Sequence, residues 1–302
     1  MAKPFQTSSG DILADRRADY AEMLFASGDH GAAAELMLGA LELKPDWSFG
    51  WFRLGEFHEA AGARQQAVEA WRMALKLDPA DRGGAALKLR LAGAEDGAAV
   101  SASGFAESLF DQYAKSFDEA LMGKLDYRVP ELLADAIRAC AGGTFGLAID
   151  LGCGTGLMGE RLRPLVRRLE GCDISAGMLR KAAAKNVYDR LEKADLQAMA
   201  YDGPPADLVT AADVFMYIGA LEGVVGLARS MAASGGIFGF SVEKHEGAED
   251  VVLRPSRRHA HSEAYVRRVL ESFAFEVLSL ETRVIRQDRG EPVGGLVVVA
   301  RG

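Results

Sequence analysis

Leu147-Ala148-Ile149-Asp150-Leu151-Gly152-Cys153-Gly154-Thr155-Gly156 is the stretch that decides the fold of this chain. An apolar run reads as a strand, an acid stands at its end, and three glycines follow at alternate positions. Glycine lets the backbone turn sharply and come close to a ligand, because no Cβ stands in the way. Leu157 to Val166 then opens a helix whose first N–H groups lack partners within the helix and face the same ligand. Strand, glycine turn and helix together make the nucleotide-binding corner of a doubly wound α/β sheet.

Two kinds of nucleotide suit such a corner. Gly154-x-Gly156-x-x-Gly159 matches the dinucleotide fingerprint, and Asp173 lies where that motif wants a ribose-binding acid. Asp150 argues the other way. A dinucleotide places its pyrophosphate at the turn, where a second anion repels it by about 4 kcal/mol at close range. S-adenosylmethionine has no phosphate and carries a sulfonium and an ammonium, both favoured by a nearby carboxylate. The methyl donor is the better fit.

The segments that follow agree with this. Arg168–Ile174 reads as a second strand ending in Asp173, a carboxylate able to take both ribose hydroxyls. Ser175 is placed to cap a helix over Ala176–Asn186, in which Met178 serves either as a cover for adenine or as core. Asp195, with Leu196, follows a short third strand, where it either accepts from the adenine amino group or caps a turn. Ala206–Tyr217 reads as a buried fourth strand with its exit loop, which brings Ala212, Asp213 and Tyr217 near the reacting end of the donor. Gly235–Glu243 reads as a fifth strand, and Phe275–Arg286 with Pro292–Arg301 as a closing antiparallel hairpin.

On these residues the chain resembles the class I S-adenosylmethionine-dependent methyltransferases, over about Phe105–Gly302. The resemblance implies a Rossmann-like, seven-stranded α/β domain with the last strand antiparallel. It implies S-adenosylmethionine as cofactor, with Asp150, Gly152, Cys153, Gly154, Thr155 and Gly156 forming the methionine-binding loop. It makes Asp173, with Ile174, the ribose contact and Asp195, with Leu196, the adenine contact. Helices ahead of the first strand close over the donor in that family, which brings in Tyr113 or Tyr127. The family shares no catalytic motif.

Methyl transfer needs alignment in a dry cavity, and a base only where the acceptor is protonated at neutral pH. Base candidates after the fourth and fifth strands are Tyr217, Glu243, His245, His259 and His261. Ser256–Tyr265 reads as a polar, basic run leading into a helix capped by Ser262. A solvated loop is expected for His259, and His261 and Tyr265 are the acceptor-side candidates. Arg257, Arg258 or Arg286 offers a cation to an acidic acceptor. No metal site is expected, since His259-x-His261 has no acidic or cysteine companion at ligand spacing.

The N-terminal part is a repeat. Asp78-Pro79 follows Lys44-Pro45 after 34 residues, and the same offset relates Ala33 to Ala67, Met37 to Trp71 and Ala40 to Ala74. Trp51, Leu54, Gly55, Ala67, Trp71, Ala74 and Pro79 follow the tetratricopeptide pattern, with Arg17 standing where Trp51 would match. Arg82–Leu91 is expected to close the array. The domains expected are an all-α tetratricopeptide-repeat domain over 1–92, a linker over 93–104, and a methyltransferase domain over 105–302. The repeat domain serves a protein partner, self-association or a lid.

Composition sets outer bounds. The chain has 302 residues, 49% of them hydrophobic, and a formal net charge of -8 that opposes nonspecific nucleic-acid binding. No apolar stretch approaches the roughly 20 residues of a membrane span. Met1–Gly10 lacks the apolar core of a signal peptide, and Cys140, Cys153 and Cys172 show no disulfide or metal spacing. A cytoplasmic enzyme acting on a small-molecule acceptor is the expectation. The alternatives are a protein methyltransferase recruiting its substrate through the repeats, and a non-catalytic donor-binding protein.

Overall fold

The structure, a computed structural model, describes residues 7–94, 102–114, 125–288 and 290–302. The chain divides into two compact units, Met1–Leu109 and Phe110–Gly302. Most of the expected linker lies outside the described residues, and the boundary between the units falls within helix α6 (Ser103–Tyr113).

The first unit holds α1 (Ile12–Ala26), α2 (His30–Leu43), α3 (Ser48–Ala60), α4 (Arg64–Leu77) and α5 (Ala85–Leu91). Ala26 to Ala60, His30 to Arg64 and Leu43 to Leu77 are each 34 residues apart, so the sequence period is also a structural one. Small residues decide how closely the helices pack. A Cβ on Gly55 would overlap the Trp71 ring, so the indole of α4 lies directly against α3. Trp51 is only half-buried and donates through Nε1 to the Pro45 carbonyl. Arg17 reaches the Gly39 carbonyl on α2. Helix α5 closes the array by burying Ala85 and Leu89 against Phe52, Ala67, Val68 and Trp71. Its N-terminus is capped by Asp81, which accepts from Ala85 N (2.6 Å) and Ala86 N (3.0 Å).

The second unit is an α/β sandwich around a mixed sheet. Its strands are β1 (Phe145–Leu151), β2 (Val166–Asp173), β3 (Arg190–Lys193), β4 (Ala206–Ala211), β5 (Ala232–His245), β6 (Val251–Leu253), β7 (His259–Ser262), β8 (Glu276–Asp288) and β9 (Glu291–Arg301). The backbone of the sheet runs β3-β2-β1-β4-β5-β9-β8, parallel except for β9. These are the seven strands expected, with the antiparallel hairpin closing the edge.

Two further strands were not expected. The sheet has nine strands because β6 and β7 form a short ribbon beyond β4. Strand β4 leaves β5 at the pair Ala211–Phe240, and β7 takes up the same edge at Ala260–Glu243, with β9 on the opposite edge. The run read as a solvated loop is therefore a buried strand, and His259 is 3% exposed. Sequence pattern misses it because His-Ala-His-Ser shows no apolar alternation, and burial here comes from hydrogen-bonded imidazoles rather than hydrocarbon.

Helices cover both faces. On one face α10 (Glu222–Met231) and α11 (Glu263–Ser272) pack onto Phe238, Phe240 and Val242 of β5 and Leu296, Val298 and Ala300 of β9. On the other, α7 (Val129–Cys140) and α8 (Leu157–Leu162) pack onto Ile237, Val297 and Val299. The alternation along β5 and β9 follows from successive side chains pointing to opposite faces. Helix α8 is shorter than expected and ends in a 3-10 turn, Arg163–Leu165, where Pro164 lacks the N–H that a further α-turn needs.

Candidate active site

The glycine corner forms at the carboxyl end of β1. Gly152, Gly154 and Gly156 have φ of +62°, +55° and +90°, a region that side chains disfavour. Their surroundings differ. A Cβ on Gly152 would stand 2.6 Å from Val214 in the β4 exit loop, and one on Gly156 would stand 3.1 Å from Tyr188. Only Gly154 has nothing within 4 Å, so it is the loop glycine with open space before it. Gly159 and Gly171 also make room for Tyr188. Two of the fingerprint glycines, Gly156 and Gly159, thus accommodate a protein side chain rather than only a ligand.

Asp150 is 1% exposed. Its Oδ2 accepts from the Tyr188 hydroxyl (2.7 Å) and its Oδ1 from Thr210 Oγ1 (2.8 Å). Burial pushes its pKa up to about 6, against the lowering effect of those two donors. Neither donor was anticipated from sequence: Tyr188 lies in the Asn186–Asp189 connection, where no periodicity marks it.

Asp173, at the end of β2, accepts from Gly154 N (2.9 Å) and Ser175 N (2.8 Å), and burial raises its pKa. It thus ties the glycine loop to the start of α9 (Ala176–Ala184). Ser175 caps that helix through Met178 N, as expected. Asp111 was missed: its Oδ1 accepts from Ser175 Oγ (2.5 Å) and Gly177 N (2.8 Å). Met178 is 1% exposed and Cys153 5%, whereas Ile174 is half-buried. Asp195 caps its own turn, accepting from Gln197 N (2.9 Å), and Leu196 packs on the core of the first face. Tyr113 is 54% exposed.

Beyond β4 the polar groups converge. Asp213, at φ +61°, donates its N–H to Ser241 Oγ and takes both carboxylate oxygens to Arg286 Nη1 (2.9 Å each). Arg286, on β8, also binds Glu243 of β5, and Glu243 accepts from Arg254 Nη1 (2.9 Å). Burial raises the pKa of Asp213 against the opposing effect of Arg286. Ala212, beside Asp213, is half-buried. Burial raises the pKa of the Tyr217 hydroxyl against the opposing charge of Arg258, and its ring meets Phe110 edge-on at 5.0 Å. Burial holds the Tyr127 hydroxyl well above its usual pKa, among the charges of Asp213, Arg286 and Asp150.

His261 and Tyr265 do something other than the acceptor-side work expected of them. His261 is fully buried and its Nε2 pairs with the Gly219 carbonyl (2.6 Å). Burial lowers its pKa to about 4. Tyr265 accepts from Leu221 N (2.9 Å) and donates to Glu222 Oε2 (2.8 Å). His259 Nδ1 pairs with the Met216 carbonyl (3.2 Å). All three fasten the 216–222 segment that follows β4. Among the described residues, no three His, Cys, Asp or Glu side chains stand as a group able to hold a metal, and no helix is long and apolar enough to cross a membrane.

Known proteins agree with this geometry. Residues 149–238 match the family model described as "Methyltransferase domain". Methyltransferase-like protein 27 of Homo sapiens is 33% identical over 116 residues, which is 37% of this chain and 45% of that protein; the match thus spans less than half of this relative. Among solved structures, the DhpI–SAH complex superposes with a TM-score of 0.51 at 22% identity, over 68% of this chain and 98% of that one. The [4+2]-cyclase SpnF superposes with a TM-score of 0.55 at 15% identity, over 67% and 96%. These two likenesses show the fold. The matched segment begins within β1, at the glycine corner, and runs into β5. Over residues 149–238, the second unit is thus similar to a methyltransferase domain.

Proposed function

We propose that the chain is an S-adenosylmethionine-dependent methyltransferase acting on a small-molecule acceptor. The observation that carries this is the corner built by Asp150, Asp173 and Gly154. Gly154 faces open space, Asp173 is bound to its amide, and both acids stand where a pyrophosphate would meet like charge. The residues fit the donor: a cradle at Gly154, a ribose acid in Asp173, and a buried carboxylate whose field favours a cation. When bound, S-adenosylmethionine supplies a methyl group already activated on sulfonium. The chain's own residues orient and exclude water. Asp173 fixes the loop, Asp150 acts through its field because both its oxygens are bound by Tyr188 and Thr210, and Tyr127 and Tyr217 lie buried within the field of the Asp213 cluster.

We assign the acceptor side to Tyr217 rather than to His261, whose Nε2 pairs with the Gly219 carbonyl, or Tyr265, whose hydroxyl is held by Leu221 N and Glu222. Adenine falls to Asp195 and Leu196. Residues 1–92 are proposed as tetratricopeptide repeats, supported by the 34-residue period of both sequence and helix ends. Three free cysteines suit a reducing cytoplasm. Protein methylation directed by the repeats is the second reading, favoured by Ile12, Tyr20 and Met23, exposed apolar residues on α1.

Calorimetry on the full chain tests the donor. S-adenosylmethionine and its demethylated product should bind, and Asp173→Ala should abolish both. Binding of NAD instead would overturn the assignment. Incubation with methyl-labelled donor and a cell extract, followed by separation of small molecules from protein, distinguishes the two acceptor classes.

A further inference from the structure

Three guanidinium groups meet at the carboxyl ends of β4 and β5, and they are not equally occupied. Arg286 is saturated: Nη1 serves both oxygens of Asp213, and Nη2 serves Glu243. Arg254 is held as well, by short hydrogen bonds to Glu243 Oε2 (2.9 Å) and the Lys244 carbonyl (2.6 Å). Arg258 differs. Its nearest carboxylates among the described residues are Glu243 Oε1 at 3.7 Å and Asp288 Oδ2 at 3.6 Å, both beyond hydrogen-bonding distance. Among the described residues it also faces the Tyr217 hydroxyl, where its charge opposes the upward push of burial. A guanidinium has five donors, so most of those on Arg258 are uncommitted.

Charge points the same way. Asp213 and Glu243 are the two buried carboxylates of the cluster, facing Arg254, Arg258 and Arg286, which leaves one positive charge in excess. Asp288 sits at the rim with 40% of its side chain exposed, where water screens it. The excess falls on Arg258, whose side chain is 25% exposed. Backbone geometry holds it there. Arg254 N donates to the Arg258 carbonyl (2.9 Å), and Arg257 between them has φ +62°. This tight turn delivers Arg258 to the head of β7, where β4 has just ended. Tyr217 beside it is on the same exit loop as Val214, which touches the glycine corner.

Resting on the methyltransferase reading, we infer that the acceptor is a small acid whose oxyanion, a carboxylate or a phosphonate, docks on Arg258 beside Tyr217. Arginine's planar fork matches both groups bidentately. Phe110, edge-on to Tyr217, offers an apolar wall for the body of such an acid. Docking replaces two long, weak approaches to Glu243 and Asp288 by short hydrogen bonds and neutralises the excess charge.

The test titrates benzoate, succinate and methylphosphonate separately into the full chain, with and without S-adenosylhomocysteine, by calorimetry. At least one acid should bind saturably. Arg258→Gln should weaken it at least tenfold, Arg258→Lys should recover part of the loss, and Arg267→Gln, an exposed arginine on α11 paired with Glu263, should leave it unchanged. Succinate or benzoate binding assigns a carboxylate, and methylphosphonate binding a phosphonate. Unchanged near-ultraviolet circular dichroism certifies that the variants fold. The inference is overturned when no acid binds saturably, or when Arg258→Gln binds as wild type does. Failure of S-adenosylhomocysteine to bind overturns the donor assignment instead, and the titration without it still reads Arg258.

Discussion

The Tyr188 hydroxyl donates to Asp150 Oδ2 across 2.7 Å, and the same ring fills the space that side chains on Gly156, Gly159 and Gly171 would need. One tyrosine therefore holds the acid of the corner and shapes the turn behind it. Burial raises Asp150 from 3.8 to about 6, and the Tyr188 hydrogen bond works against that rise. Tyr188→Phe removes the donor, so the folded-state pKa climbs further. The folded state then binds its proton more readily than the unfolded one, and the penalty on folding grows as pH rises from about 4 through the folded pKa. Tyr188→Phe should cost about 1–3 kcal/mol near pH 8 and less at pH 5. Urea denaturation at the two pH values measures this, and an equal loss at both would rule it out.

Gly159 gives a second handle on the same contact. It lies inside α8, where alanine is favoured over glycine by about 1 kcal/mol. Its added Cβ would overlap the Tyr188 hydroxyl. Gly159→Ala should therefore destabilise the protein by about 1–3 kcal/mol. In a Tyr188→Ala background the clash is gone, and the same change should become neutral or stabilising. A double-mutant cycle that proves additive would refute the contact.

The corner was legible in the sequence because its residues are adjacent and their spacing has a local cause. Asp150, the three glycines, Asp173 and the Ser175 cap all fall within one β-turn-α-β-α run, where strand ends dictate position. Tyr188 and Thr210 were not legible. They reach Asp150 from 38 and 60 residues away, and only tertiary packing brings them there. The β6–β7 ribbon was missed for a related reason: His259 and His261 look polar in a string, yet each ring finds a backbone carbonyl and can be buried. Polar patterning predicts exposure only where no partner waits inside.

Those imidazoles fix what His261 contributes. Its folded pKa is lowered to about 4 from 6.5, so the unfolded chain takes up a proton first as pH falls. Stability from this group is present above pH 6.5 and is lost between 6.5 and 4, by about 3 kcal/mol. His261→Phe should flatten that part of the stability profile while leaving donor affinity unchanged. Tyr265→Phe, which keeps the ring and orphans Leu221 N, should cost about 1–3 kcal/mol of stability with kcat unaltered. A tenfold fall in kcat with stability intact, in either variant, would restore these residues to the acceptor side.

Asp150 and Asp173 separate charge from contact. Asp173 binds the loop and is the proposed ribose contact, and the ribose is common to the donor and its demethylated product. Asp173→Asn should weaken both by about tenfold or more, equivalent to roughly 1.4 kcal/mol or more. Among the described residues Asp150 hydrogen-bonds Tyr188 and Thr210, and its proposed action on a ligand is through its field. Asp150→Asn should weaken S-adenosylmethionine more than S-adenosylhomocysteine, because only the former carries a sulfonium. Equal losses in calorimetry would show that the field does not discriminate.

Arg286 holds the far end of the site together. It is 2% exposed and, among the described residues, alone hydrogen-bonds the two carboxylate oxygens of Asp213, while Glu243 has Arg254 as well. Arg286→Met leaves Asp213 a buried carboxylate without its hydrogen-bonded partner and with only the more distant charge of Arg258 to offset it, which costs about 3–5 kcal/mol. Glu243 suffers less, since Arg254 remains. The double variant Arg286→Met with Asp213→Asn should recover most of the loss, and Arg286→Met with Glu243→Gln little of it. Acid gives an independent check: Asp213 is readily protonated because burial raises its pKa, so the deficit of Arg286→Met should shrink as pH falls toward 5. Thermal unfolding of the three variants at pH 8 and pH 5 reads all of this, and a deficit that is the same at both values, or that Glu243→Gln repairs as well as Asp213→Asn, would move the critical charge away from Asp213.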